Sequence, residues 1–149
     1  RFAADGDFDC FMLAGRYTLL DHTAIDAFLP DCERRGIAVL MAAPFNSGIL
    51  ATGATAGATF FYQPAEAAIV ERTRRIEAVC ARHGVALAAA ALQFPLGHPA
   101  VASVVTGMRT AAEVDANLRH VATPIPPAFW DELKHERLLD ARAPAPATA

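Results

Sequence analysis

The stretch GIAVLMAAPFNSGIL (residues 36–50) decides how this chain is read. Ile37 to Ala42 form an unbroken apolar run bounded by Gly36 and Pro44, too short for a helix. That run predicts a strand buried on both faces. Pro44 ends it, because proline has no N–H to give to a ladder. Phe45, Asn46, Ser47 and Gly48 follow before apolar residues resume at Ile49. A bulky aromatic and a small polar trio at a strand end can present donors to phosphate oxygens. They can equally form a plain turn with an Asx or Ser cap, and the pattern alone leaves both open.

Two more strands are predicted on the same grounds, FDCFMLA (8–14) before Gly15 and AVASVVT (100–106) before Gly107. Between them the pattern is helical. Asp21 and Thr23 offer caps for a helix that ends at Gly36, with Ile25, Phe28, Leu29 and Cys32 on one face. Ala65 to His83 reads as a helix with Ile69, Thr73, Ile76 and Cys80 inward and Arg72, Arg74 and Arg75 outward. Residues 85–94 read as a buried helix ending before Pro95. Thr110 to Val121 is expected to turn Ala111, Val114, Leu118 and Val121 inward. Residues 126–139 form a last helix with Pro127 in its first turn. The Gly/Ala/Thr-rich region 51–64 reads as a long loop. Residues 1–139 are thus expected as one partial domain and 140–149 as a disordered tail.

The order β-α-β-α-α-β-α-α implies an α/β fold of three parallel strands joined by right-handed helical crossovers and covered by helices. Three strands cannot close a barrel, and both sheet edges are bare. NSGILATG does not supply the GxGxxG of a doubly wound nucleotide domain.

The 149 residues suit one domain. A net charge of -3 gives no basic field, which argues against nucleic acid as a partner. A hydrophobic fraction of 54% leaves room for apolar surface that expects a partner. Cys10, Cys32 and Cys80 are odd in number and widely spaced, with neither CxxC nor zinc spacing. They read as buried reduced thiols of a cytoplasmic protein, and no metal site is expected. The longest apolar stretch is interrupted by Gln93, Pro95, His98 and Pro99, so no membrane span is expected. The chain starts at Arg1 without methionine and soon enters an apolar strand, which reads as a start in mid-protein.

In parallel α/β architectures function gathers at the carboxyl ends of strands. Gly15 is followed by Arg16 and Tyr17, one able to make ionic contacts and the other to stack or hydrogen-bond. Gly107 is followed by Arg109, then by Thr110 and Glu113 in capping-box spacing, an anion site in outline. No triad or acid pair stands out, and His22, His83, His98, His120 and His135 have no nucleophile at a telling distance. No catalytic residue is assigned.

At these three strand ends, in FDCFMLAGRYTLLD, GIAVLMAAPFNSGILATG and VVTGMRTAAEVDANL, the chain resembles the aldo-keto reductase family from about Phe8 to Leu139. The wording is similar to its sugar-dehydrogenase branch, which includes L-fucose and D-threo-aldose 1-dehydrogenases and pyridoxal 4-dehydrogenase. The resemblance implies the C-terminal portion, strands six to eight, of a (β/α)8 TIM barrel that binds a nicotinamide dinucleotide. It carries cofactor contacts onto Pro44, Phe45, Asn46, Ser47 and Gly48 for the pyrophosphate, and onto Gly107, Met108, Arg109 and Thr110 for the adenosine ribose or its 2′-phosphate. Asn117 matches an adenine contact, and Tyr17 is a further candidate. Ala14 and Ala42 stand where the family has a carboxamide-binding glutamine and a stacking aromatic. Glu113 stands where many NADP-specific members have arginine, which leans the expectation toward NAD over NADP. The family's Asp, Tyr, Lys and His tetrad falls outside this chain.

The resemblance therefore implies a cofactor-binding fragment of an NAD(P)-dependent sugar or aldehyde dehydrogenase, inactive alone. The alternatives are a self-associating half-barrel module, which would make a homo-oligomer, and a non-catalytic, cofactor-bound regulatory relative.

Overall fold

The computed structural model describes residues 2–146. Three strands form the main sheet: β1 (Cys10–Ala14), β2 (Ala38–Ala42) and β5 (Val101–Val105), in the order β1-β2-β5. Both pairings are parallel, and the β2–β5 register shifts between Val39 and Leu40. A two-stranded antiparallel hairpin, β3 (Thr59–Phe60) and β4 (Gln63–Pro64), stands apart from it. The helices are α1 (Phe2–Asp5), α2 (Phe28–Arg35), α3 (Ile49–Thr52), α4 (Ala67–His83), α5 (Leu87–Gln93), α6 (Ala111–Ala122) and α7 (Pro127–His135), with 3₁₀ turns at Thr23–Asp26, Asn46–Gly48 and Phe94–Gly97.

Alternation along the strands divides the sheet into two unlike faces. Val39 and Met41 of β2 are fully buried, and Phe11 and Leu13 of β1 pack on the same core. The opposite face carries Met12, 63% exposed, beside Leu40, and Val105, 39% exposed, beside Ala42. Only one face is covered by helices, so β1 is not the buried strand its composition suggests. Cys10 is likewise exposed, whereas Cys32 and Cys80 are buried; all three are free. Burial pushes the Cys80 thiol up to about 12, so it is inert at neutral pH.

α2 and α4 end where expected, each on a left-handed glycine, Gly36 and Gly84. α4 buries Thr73, Ile76, Val79 and Cys80. Arg72 does not point outward: its guanidinium donates to the carbonyls of Leu20 at 3.2 Å and Leu138 at 2.8 Å. α6 departs most from expectation. Ala111 is exposed, as are Val114 at 38%, Leu118 at 65% and Val121 at 49%. The stripe exists but is left largely in solvent, along an open groove whose other wall is Leu92, Val104 and Met108.

Region 51–64 is more ordered than a loop, because it holds the end of α3 and the hairpin. The tail expected at 140–149 is described as far as Pro146. Ala143 is fully buried, and a Cβ on Gly97 would sit 2.5 Å from the Pro144 carbonyl oxygen. The remainder, 147–149, lies outside the described residues. Among the described residues no single helix is long and apolar enough to cross a membrane.

Candidate functional site

The carboxyl ends of β1 and β2 meet where the Gly15 N–H donates to the Ala42 carbonyl at 3.0 Å. Pro44 is buried and forms part of the scaffold. The turn after it is tight: Asn46 N–H donates to Ala43 O at 3.1 Å and Gly48 N–H to Phe45 O at 3.0 Å. Those two backbone donors are therefore committed inside the turn. Asn46 and Ser47 hold left-handed backbone, φ 45° and 61°, without being glycine. Such conformations cost on the order of 1–3 kcal/mol each and concentrate at functional sites.

The two polar side chains of this turn differ chemically. Asn46 is buried, and its Nδ2 reaches toward the Gly15 carbonyl at 3.5 Å. Its Oδ1 is buried and accepts no bond among the described residues. Flipping the amide would set two acceptors face to face, so the orientation follows from the carbonyl. Asn46 thus holds an acceptor closed off from the surface, with nothing to give a phosphate oxygen. Ser47 Oγ accepts the Tyr62 N–H at 3.0 Å, which leaves its own hydroxyl proton to donate. Ser47 is the one of the pair fitted to phosphate.

The hairpin is pinned on this turn. Thr59 Oγ1 donates to the Ser47 carbonyl at 3.0 Å, and the Arg16 guanidinium lies 4.6 Å from the Phe61 ring centroid. A Cβ on Gly15 would meet the Phe61 ring at 3.2 Å, so glycine permits this close approach. Phe61 and Tyr62 turn the hairpin at φ 48° and 62°, and Tyr62 is 86% exposed. Sequence reading singled out neither. The usable signal was the aromatic triplet Phe60–Tyr62 inside a segment otherwise made of small residues.

A crevice of about 340 Å³ opens beside the turn, lined by Phe45, Ala51, Ala88, Gly107, Arg109, Glu113, Ala116, Asn117 and His120. It joins the end of β5 to the N-terminal half of α6. Thr110 caps α6, its Oγ1 accepting the Glu113 N–H at 3.2 Å. Glu113 returns a carboxylate oxygen to the Arg109 N–H at 2.6 Å, one residue beyond the expected capping box. Its other oxygen lies 3.8 Å from the Arg109 guanidinium, whose side chain is 90% exposed. Asn117 Nδ2 makes only a long contact, 3.4 Å, to Thr106. Gln93, missed in the sequence, does not line the crevice but ties down the C-terminal end of α6. Its Nε2 donates to the His120 and Thr123 carbonyls at 2.7 and 2.8 Å, capping α6 from α5.

Of the expected cofactor residues, Phe45, Gly107, Arg109, Glu113 and Asn117 converge on the crevice, while Ser47 and Gly48 lie in the turn that follows Phe45 and do not line it. Met108 faces a separate apolar groove with Val114, Leu118 and Val121. Tyr17 is corrected outright. It is fully buried against Phe94, 4.7 Å between ring centroids, where no ligand reaches it. Burial raises its phenol far above the ordinary range. No group of three or more metal-ligating side chains occurs among the described residues.

Residues 3–136 match the model of the aldo/keto reductase family. The chain belongs to that family. It is 43% identical over 135 residues to pyridoxal 4-dehydrogenase of Microbacterium luteolum, covering 91% of this chain and 40% of that protein. It is 38% identical over 140 residues to D-threo-aldose 1-dehydrogenase of a Pseudomonas species, covering 93% and 43%. The apo aldo-keto reductase AKR11C1 of Bacillus halodurans superposes with a TM-score of 0.71 at 22% identity, over 95% of this chain and 47% of that one. The chain therefore spans less than half the length of these relatives, and its three-stranded parallel sheet is a partial (β/α)8 barrel.

Proposed function

We propose that this chain forms the dinucleotide-binding part of an NAD(P)-dependent oxidoreductase acting on a sugar or aldehyde, with the acid–base groups on strands that pair with the free edges of β1 and β5. The observation that supports it best is the crevice at the β5–α6 junction, continuous through Phe45 with a turn whose serine keeps a free hydroxyl proton. Its volume lies within the range of small-molecule sites. Arg109 and Asn117 would hold the adenosine end, and the Ser47 hydroxyl would donate to the pyrophosphate. When bound, the nicotinamide supplies hydride transfer. Glu113 borders the crevice with a carboxylate that would repel a 2′-phosphate, while Arg109 would attract one. The two lie side by side, so the lean toward NAD is modest.

Calorimetric titration with NAD and NADP tests the assignment on the chain and on Ser47→Asp. The expected result is binding weakened roughly tenfold or more in the variant. Equal affinity would return 44–48 to being a turn. NADP bound far more tightly than NAD would remove the lean.

One observation favours a second reading, a self-associating module: the exposed stripe Val114, Leu118 and Val121 beside the free edge of β5. Sedimentation showing a dilution-stable monomer would exclude it.

A further inference from the structure

His120 lines the crevice at the β5–α6 junction together with Glu113 and Asn117. It stands one turn beyond Asn117 and two beyond Glu113, so the three share one face of α6. From Glu113 to His120 the crevice runs about 10 Å along the helix. Arg109 and Glu113 form its charged mouth, where the Arg109 side chain is 90% exposed. His120 stands at the opposite end and is half-buried.

Between the two ends the walls are apolar and mostly small. Ala51 comes from α3, Ala88 from α5 and Ala116 from α6, with Phe45 beside them. Walls of alanine leave a slot free of branched side chains, which admits a flat ring system. Ala116 lies one turn before His120 and leaves room above the imidazole.

Beyond the mouth the polar lining residues are Asn117 and His120. Asn117 Nδ2 is turned toward Thr106, whose Oγ1 lies at 3.4 Å. His120 is bonded through its backbone: its carbonyl accepts Gln93 Nε2 at 2.7 Å, while its ring enters no hydrogen bond or ion pair among the described residues. Gln93 also holds the Thr123 carbonyl at 2.8 Å. Its neighbours Ala89 to Leu92 on α5 are buried, so the anchor is rigid. It fixes the last turn of α6, a helix that buries no residue of its own. A half-buried imidazole on a fixed turn, with both ring nitrogens uncommitted, is a hydrogen-bonding group available to a ligand.

We propose that His120 is the base-recognising residue of this crevice, its acceptor nitrogen taking a hydrogen bond from the 6-amino group of adenine. This rests on the reading of the crevice as the adenosine half of a dinucleotide site. The ribose then lies at the Arg109–Glu113 mouth and the base in the alanine slot, with its 6-amino edge at His120. A neutral imidazole has one acceptor nitrogen, and the amine brings N–H donors to it. A purine that lacks the amine fills the same slot but leaves the imidazole unpaired, which is how a polar site tells the two apart. His120 therefore sets which base is accepted and takes no part in hydride transfer.

The test is calorimetric titration of the chain with adenosine monophosphate and with purine riboside 5′-monophosphate, which lacks only the 6-amino group. Wild type is compared with His120→Phe, which keeps a planar ring, and with His120→Gln, which keeps an acceptor. Wild type should bind the adenosine ligand about threefold to tenfold more tightly than the purine riboside. His120→Phe should lose that preference with its purine riboside affinity unchanged, and His120→Gln should retain most of it. Equal affinity of the wild type for the two ligands overturns the proposal without any variant. An undiminished preference in His120→Phe, or an equal loss of affinity for both ligands there, also overturns it and leaves His120 as wall alone. If neither ligand binds the wild type, the adenosine reading of the crevice fails and the proposal falls with it; binding without preference leaves that reading standing.

Discussion

α4 and α6 carry apolar stripes of the same helical spacing, yet they end in opposite surroundings. In α4, Ile76 and Val79 are fully buried, and the helix packs against α7 and α5. In α6, Leu118 and Val121 stand in solvent beside the unpaired edge of β5. Periodicity reports that a helix has an apolar face, and not that the chain contains the surface to cover it. The difference marks where the partial barrel stops, and it explains why Met12 and Val105 are bare on the other face of the sheet.

Substitutions can break this comparison. Ile76→Ala should cost about 3 kcal/mol in denaturant unfolding, as buried isoleucines do. A cost below about 1 kcal/mol would mean that the α4 stripe is no better packed than that of α6. Arg72→Met should cost about 2 kcal/mol, because the Leu20 and Leu138 carbonyls lose their donors; a neutral result would place Arg72 back on the surface. Thr110→Ala should cost about 1 kcal/mol through loss of the cap on α6. Leu118→Ala should change stability by no more than about 0.5 kcal/mol. A large loss there would show that α6 has a partner in solution, which would sharpen the contrast into an interface.

The strands and most helices were legible because the apolar runs are continuous and end on Pro44, Gly36, Gly84 and Gly107, residues with mechanical reasons to stop an element. The capping role of Thr110 was legible for the same reason. The hairpin was not, because its turn uses Phe61 and Tyr62 at left-handed backbone instead of glycine or asparagine. The tail was misread because its composition is low in complexity, while its docking depends on Arg142 and on the missing side chain of Gly97. Tyr17 was misassigned because nearness to a strand end in sequence says nothing about which way a ring turns. Asn46 and Ser47 looked alike as donors. Only their partners separated an orphaned acceptor from a hydroxyl with a proton to give.

The crevice at the β5–α6 junction is lined by residues of this chain from Phe45 to His120, so its ligand can be tested on the chain itself. The direct measurement is titration of adenosine monophosphate into isotope-labelled protein, following backbone amide resonances. The expected result is saturable shifts concentrated at Gly107, Arg109, Glu113 and Asn117, with Leu118 and Val121 on the outer stripe little affected. Shifts absent from Gly107 to Asn117 at millimolar ligand, or spread evenly over the bare sheet face, would contradict the assignment of this crevice to the adenosine half of a dinucleotide.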